Sequence, residues 1–139
     1  MQDSHLIKLA LDARKKAYTP YSNFKVGAAL LCKNGEVFTG CNIENAGYGP
    51  TNCAERTAFF KAVSEGIRDF VSIAVVGGNQ NDSIPLSGYA YPCGVCRQVM
   101  MEFCIPHEFR ILVAKSPDEY QLYTLEKLLP NGFGPSNLK

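Results

Sequence analysis

Apolar residues recur at the helical period between Ser4 and Tyr18, at Leu6, Leu9, Ala10, Ala13 and Ala17, with Asp12, Lys15 and Lys16 on the other side. The pattern predicts a first helix that ends before Pro20. Phe24 to Cys32 is a nearly continuous apolar run, the mark of a buried strand, and Asn34-Gly35 within the stretch Lys33 to Glu36 predicts a two-residue hairpin into a second strand, Val37 to Asn42. Asn45 to Pro50 holds two glycines and a proline and reads as a loop. A second helical stripe follows at Ala54, Ala58, Phe59, Ala62 and Val63, with Asn52 as its N-cap and Gly66 as its stop. Phe70 to Val76 is rich in β-branched residues, as in a central strand, and Gly77 to Tyr91 reads as a polar loop. Pro92 suits the first turn of a third helix whose apolar side carries Val95, Val99, Met100 and Phe103. Phe109 to Ala114 and Gln121 to Thr124 read as short strands, and Leu125 to Leu129 as a short helix stopped by Pro130.

This order of elements predicts an α/β chain: a mixed sheet of about five strands flanked by helices, with right-handed crossovers where strands run parallel. No repeat or linker interrupts it, and 139 residues is the length of one domain, taken here as 1-139. A hydrophobic content of 46% against 19% charged residues excludes disorder.

Charge and cysteine usage narrow the class of partner. Lys and Arg total 14 against 13 Asp and Glu, and no basic run occurs, which excludes a polymeric nucleic acid partner. Met1 to His5 leads into an amphipathic helix, with no basic segment followed by an apolar core, so a cytoplasmic protein without membrane attachment is expected. In such a reducing compartment the six cysteines are not a disulfide framework. Cys32, Cys41 and Cys104 lie in apolar or strand-like contexts and read as small buried hydrophobes.

The other three cysteines carry the chemistry. Cys93 and Cys96 sit three residues apart at a helix start, on one face, where the helix dipole and unpaired amides favour thiolate. A lone Cys-x-x-Cys could equally be a redox pair, but Cys53 at the start of a second helix favours a soft divalent metal. Three protein ligands leave one zinc position open, the arrangement of a catalytic site. Glu55 follows Cys53 by two residues. Alone it reads as the acidic half of a capping box over Asn52; beside a metal it can move a proton between a water and a leaving group. Three thiolates also give the site excess negative charge. Arg56, which follows Cys53 by three residues, and Arg97, next to Cys96, are candidates to offset it, and Gln98 is expected close outside the ligands.

At Cys53-Ala54-Glu55 and Pro92-Cys93-Gly94-Val95-Cys96 the sequence carries the zinc-deaminase signature. Pro20 to Ala29, Gly40 to Ala46 and Leu128 to Phe133 extend the likeness, so that from about Arg14 to Leu138 the chain resembles small cytidine deaminases. The resemblance implies a three-layer cytidine deaminase-like fold and one Zn(2+) per subunit on Cys53, Cys93 and Cys96. It implies Glu55 as general acid and base, and hydrolysis of cytidine and 2'-deoxycytidine to uridine, 2'-deoxyuridine and ammonia in pyrimidine salvage. For the nucleoside it implies Asn42 and Glu44 on the ribose hydroxyl, Phe24 packed on the nucleoside and Ala54 contacting the base through its backbone. Tyr48 and Phe133 match positions that complete a neighbouring subunit's site, hence a homotetramer with shared sites.

Two features depart from the family pattern: a longer loop from Asn79 to Tyr91, and Gly47 before Tyr48. Rival readings are a deaminase of modified cytosine nucleosides, a polynucleotide-editing deaminase, and a zinc-stabilised binding module closed by a fourth ligand from Cys41, Cys104 or His107. Ligand count at the metal separates the last from the others.

Overall fold

Successive residues of a strand face opposite sides of the sheet, and the three central strands are apolar on both. In a computed structural model describing residues 1–139, β1 (Phe24–Cys32), β3 (Phe70–Asn79) and β4 (Arg110–Ser116) form the middle of a five-stranded sheet. Its edges are β2 (Val37–Cys41) and β5 (Glu119–Thr124), in the order β2-β1-β3-β4-β5. Only β3 and β4 run parallel. The helix α3 (Gly94–Phe103) lies in the connection between them.

The two apolar faces differ in bulk, and helices divide between them accordingly. Ala29, Ala74, Val76 and Ala114 meet α1 (Asp3–Arg14) through Leu6, Ile7, Ala10 and Leu11. Leu30, Ile73, Val75, Ile111 and Val113 meet α2 (Ala54–Ser64) and α3 through Ala58, Phe59, Ala62 and Met100. The result is the expected three-layer arrangement. A short helix, α4 (Leu125–Leu128), and a final 3₁₀ turn, Pro135–Leu138, close the chain.

Glycines set two close approaches. A Cβ on Gly27 would lie 2.1 Å from the carbonyl oxygen of Ala10, so α1 rests directly on β1. A Cβ on Gly40 would lie 2.4 Å from the carbonyl oxygen of Ala54 and 2.6 Å from the amide nitrogen of Ala58. Both obstacles are helix backbone, which cannot swing away as a side chain can. Gly40→Ala is therefore expected to destabilise the protein by about 3 kcal/mol, as overpacking does, seen as a lower urea midpoint with an unchanged slope. It should also weaken metal binding, because it displaces the segment that carries Cys53 and Glu55.

Several local expectations are corrected. The hairpin loop has three residues, not two: Cys32 and Glu36 close it, Gly35 takes φ 93° and Asn34 keeps a negative φ. That is the turn with one left-handed glycine rather than the mirror-image turn that needs two such residues. The strand β3 runs on to Asn79 because Gly77 and Gly78 continue pairing with Val26 and Lys25. α1 stops at Arg14, whose buried guanidinium donates to the carbonyls of Lys25, Gly78 and Asn79 at 3.0, 3.0 and 2.7 Å. The caps of α2 and α3 are Cys53 and Cys93, so Asn52 and Pro92 stand just outside their helices. Val95 is exposed, and Met101 takes the buried place expected for it.

Candidate metal centre and active site

Each of the two helix starts is a cysteine in extended backbone conformation, Cys53 at φ −80°, ψ 156° and Cys93 at φ −69°, ψ 167°. Their carbonyls accept the first helical bonds, from the amides of Thr57 and Arg97, both at 3.0 Å. Neither side chain caps its helix. The thiols are thereby free, and they converge with Cys96 from the first turn of α3. Cys53 Sγ lies 3.8 Å from Cys93 Sγ, which lies 3.4 Å from Cys96 Sγ, and all three sulfurs fall within 4.8 Å of one another.

The electrostatics of this cluster favour one negative charge and resist three. A hydrogen bond from Cys96, opposed by burial and joined by one from Arg56, draws Cys53 down to about 5. Cys96 is pushed strongly upward, first by that same bond to Cys53, then by burial and by the charge of Glu55. Three ionised sulfurs at this spacing need a cation among them. The soft, all-sulfur donor set suits zinc, and the three ligands fit a site that keeps a position open. Cys41, Cys104 and His107 stand outside the cluster, so no fourth protein ligand closes it. Burial pushes the Cys32 thiol up to about 11 and Cys104 higher still, as for inert packed thiols.

Glu55 is the second residue of α2, not the third, so it does not form the capping box over Asn52. Its residue is only 4% exposed, and desolvation pushes its carboxyl up to about 7. Arg56 turns back toward the cluster, its Nη2 donating to Cys53 Sγ at 3.2 Å. Arg97 does something else. Its Nε donates to the Pro92 carbonyl at 2.7 Å and its Nη1 to the Leu128 carbonyl at 2.5 Å, clamping the approach to α3 against α4. Gln98 is likewise not at the sulfurs: its amide donates to the Phe133 carbonyl at 2.8 Å and pins the C-terminal segment.

A cavity of about 280 Å³ opens beside the cluster, near the lower end of small-molecule pockets. Cys53, Ala54, Glu55 and Cys93 line it, and so do Phe24, Asn42 and Glu44. No Lys or Arg does. Asn42 is already engaged: its Oδ1 accepts from the amide of Val26 at 2.8 Å and its Nδ2 donates to the Phe24 carbonyl at 2.9 Å, extending the β1–β2 pairing by side chain. The Glu44 carboxylate accepts from the amides of Tyr21 and Ser22 at 3.0 and 3.2 Å and from the Ser22 hydroxyl, which hold it below the usual carboxylate range. Each keeps hydrogen-bonding capacity beyond these bonds. Tyr48, 93% exposed, and Phe133, 56% exposed, do not line it.

Thr51, Asn52, Val26, Val75, Ala90 and Tyr91 also line the cavity without having been expected there from sequence. Only Tyr91 carried a usable signal, as the large residue directly before Pro92-Cys93. Val75 reads from sequence as ordinary strand interior, which it also is.

The description "cytidine and deoxycytidylate deaminase zinc-binding region" belongs to a family model that matches residues 1–110. A cytidine deaminase of Halalkalibacterium halodurans is 52% identical over 133 residues, covering 96% of this chain and 95% of that protein. One from Sporosarcina psychrophila is 46% identical over 138 residues, covering 99% and 96%. The crystal structure of cytidine deaminase from Burkholderia pseudomallei superposes with a TM-score of 0.85 at 47% identity, over 96% of this chain and all of that one.

Proposed function

The chain belongs to the cytidine and deoxycytidylate deaminase family, and on that premise we propose that it hydrolyses cytidine and 2'-deoxycytidine to uridine, 2'-deoxyuridine and ammonia in pyrimidine salvage. One observation carries the reading. A buried carboxyl, Glu55, stands next in the chain but one to a three-thiol metal set, and both open on a cavity of nucleoside scale.

Cys53, Cys93 and Cys96 would hold one zinc per subunit, and zinc there would supply a Lewis acid that brings a water's pKa to about 7. Glu55 does the proton work. Its carboxylate takes a proton from the attacking water and delivers it to ring N3 as hydroxide adds at C4. The carboxylate then takes the proton of the new C4 hydroxyl and passes it to the departing amine as the C4–N bond breaks and the oxygen becomes a carbonyl, so one water enters and one ammonia leaves. Ala54 steadies the base through its backbone, Phe24 packs on the nucleoside, and Asn42 and Glu44 hold the ribose hydroxyl with the capacity their local bonds leave free. A cavity without Lys or Arg favours the free nucleoside over its 5'-phosphate.

Tyr48 and Phe133, so exposed in one chain, belong in this reading to the site of a neighbouring subunit in a homotetramer. The six free cysteines agree with a cytoplasmic setting, and no helix is long and apolar enough to cross a membrane. Ammonia release from cytidine, 2'-deoxycytidine and their 5'-monophosphates, with zinc measured on the same sample, tests the assignment. Turnover of the nucleosides alone is expected; zinc-loaded protein that releases no ammonia from either nucleoside would overturn it.

Arg56 balances the ligand charge, and its removal has a definite sign. The guanidinium lowers the Cys53 pKa, so in Arg56→Ala that pKa rises and protons compete with metal up to a higher pH. The pH at which half the zinc is retained should move up by about one unit, the equivalent of one charge-assisted hydrogen bond. Titration against a competing chelator reads it directly.

A further inference from the structure

The loop between β3 and the first ligand of α3 is tied down at several points. Leu86, 2% exposed, packs into the α1 side of the sheet, and its amide donates to the Lys115 carbonyl at 2.9 Å. Tyr89 packs against the opposite core, with Lys115 Nζ 4.7 Å from its ring centre. The loop thus passes over the end of the sheet from one layer to the other. Its last tie is Tyr91, whose hydroxyl donates to Gln121 Oε1 on β5 at 2.6 Å. Gln121 accepts from Tyr123 through the same oxygen at 2.8 Å, and the rings of Tyr91 and Tyr123 stand edge to face with centroids 6.1 Å apart.

Tyr91 also lines the cavity, together with Ala90, two residues before Cys93. The cluster therefore has two arms: Cys53-Ala54-Glu55 on one side and Ala90-Tyr91-Pro92-Cys93 on the other. Resting on the nucleoside deaminase reading, C4 of the base lies at the cluster and N3 at Glu55. C5 is the neighbour of C4 on the side away from N3, so with N3 turned to the Glu55 arm it is turned toward the arm of Ala90 and Tyr91.

We propose that Tyr91, anchored by Gln121, is a positioning residue that fixes the cavity wall against C5 of the cytosine ring and so sets how large a C5 substituent the enzyme admits. Gln121, on the edge strand and outside the cavity lining, acts only through that anchor. Tyr91→Phe keeps the ring and loses the hydrogen bond; Gln121→Leu removes the acceptor and leaves Tyr91 intact. Both changes are at surface-accessible positions.

The experiment measures kcat and KM for cytidine and for 5-methylcytidine with the wild-type zinc enzyme, both single variants and the double variant. Tyr91→Phe should raise KM for cytidine by about fivefold, the kinetic equivalent of one hydrogen bond, with kcat little changed. The kcat/KM preference for cytidine over 5-methylcytidine should fall by a similar factor. Gln121→Leu should reproduce both effects, and the double variant should add nothing beyond either single one. Unchanged preference in both single variants, or independent addition in the double, overturns the proposal. Failure of the wild-type enzyme to deaminate cytidine would instead overturn the functional reading beneath it.

Discussion

Glu55→Gln and Glu55→Ala should each lower kcat/KM for cytidine by about 10⁴-fold, the upper range for loss of a positioned acid and base, while zinc should stay at the wild-type level. Glutamine keeps the volume and polarity of the side chain but cannot carry the proton from water to base to amine. The proposed ligands are untouched, since the sulfurs of Cys53, Cys93 and Cys96 converge without the carboxyl. Near-normal turnover in either variant would defeat the assignment of Glu55. The metal-free protein offers a second readout with a worked sign. Burial raises the Glu55 carboxyl from 4.5 to about 7, so the folded state holds a proton that the unfolded state releases, and stability falls as pH rises between those values. Glu55→Gln removes that loss. Metal-free Glu55→Gln should be more stable than metal-free wild type above pH 7, by about 3 kcal/mol for a shift of this size, and no different below about pH 4.

Cys93→Ser should abolish activity by a different route. Cys93 is the N-cap of α3, and serine caps a helix well, so the helix start survives the exchange. What disappears is a soft ligand. A hydroxyl stays protonated where a thiol becomes thiolate, leaving two sulfurs to hold the ion. Zinc affinity is expected to drop by more than about 100-fold, beyond the loss that follows removal of a partner merely adjacent to a ligand. Activity should track the residual metal. Dialysis against a chelator followed by elemental analysis measures the first, and ammonia release the second. Zinc retained at one per chain in Cys93→Ser would remove Cys93 from the ligand set.

The contrast between these two residues and Gln98 shows what sequence could and could not disclose. Cys93 and Cys96 were legible because a spacing of three at a helix start puts them on one face, and Glu55 because it follows Cys53 within the same first turn of α2. The layered fold was legible for a similar reason, the change from period 2 to period 3.6 along the chain. The placement of Gln98, Arg97 and Asn42 depended on which backbone carbonyl another segment brought within reach: Phe133, Leu128 and Phe24. Nothing in their own neighbourhoods encodes those meetings. The hairpin failed at smaller scale: Asn-Gly permits two loop geometries, and strand register selected the one in which only Gly35 is left-handed. Tyr91 lay between, visible as a large residue before Pro92 but given meaning only by Gln121, which lies thirty residues further along the chain.

The forty-residue gap between Cys53 and Cys93 has a consequence for how the protein is made. During synthesis the first arm of the metal site, with β1, β2 and α2, leaves the ribosome well before Cys93 and Cys96 do. Yet β1 must pair with β3, and the second arm is held by contacts with β5 and α4 from the last part of the chain. With chains growing from the N-terminus at about 5–20 residues per second, one thiol arm is made first and the full three-thiol set exists only near completion. Zinc therefore cannot template the early fold. On the proposed zinc reading the metal would act as a late clasp on a sheet already assembling, and chain made without it is expected to fold unloaded.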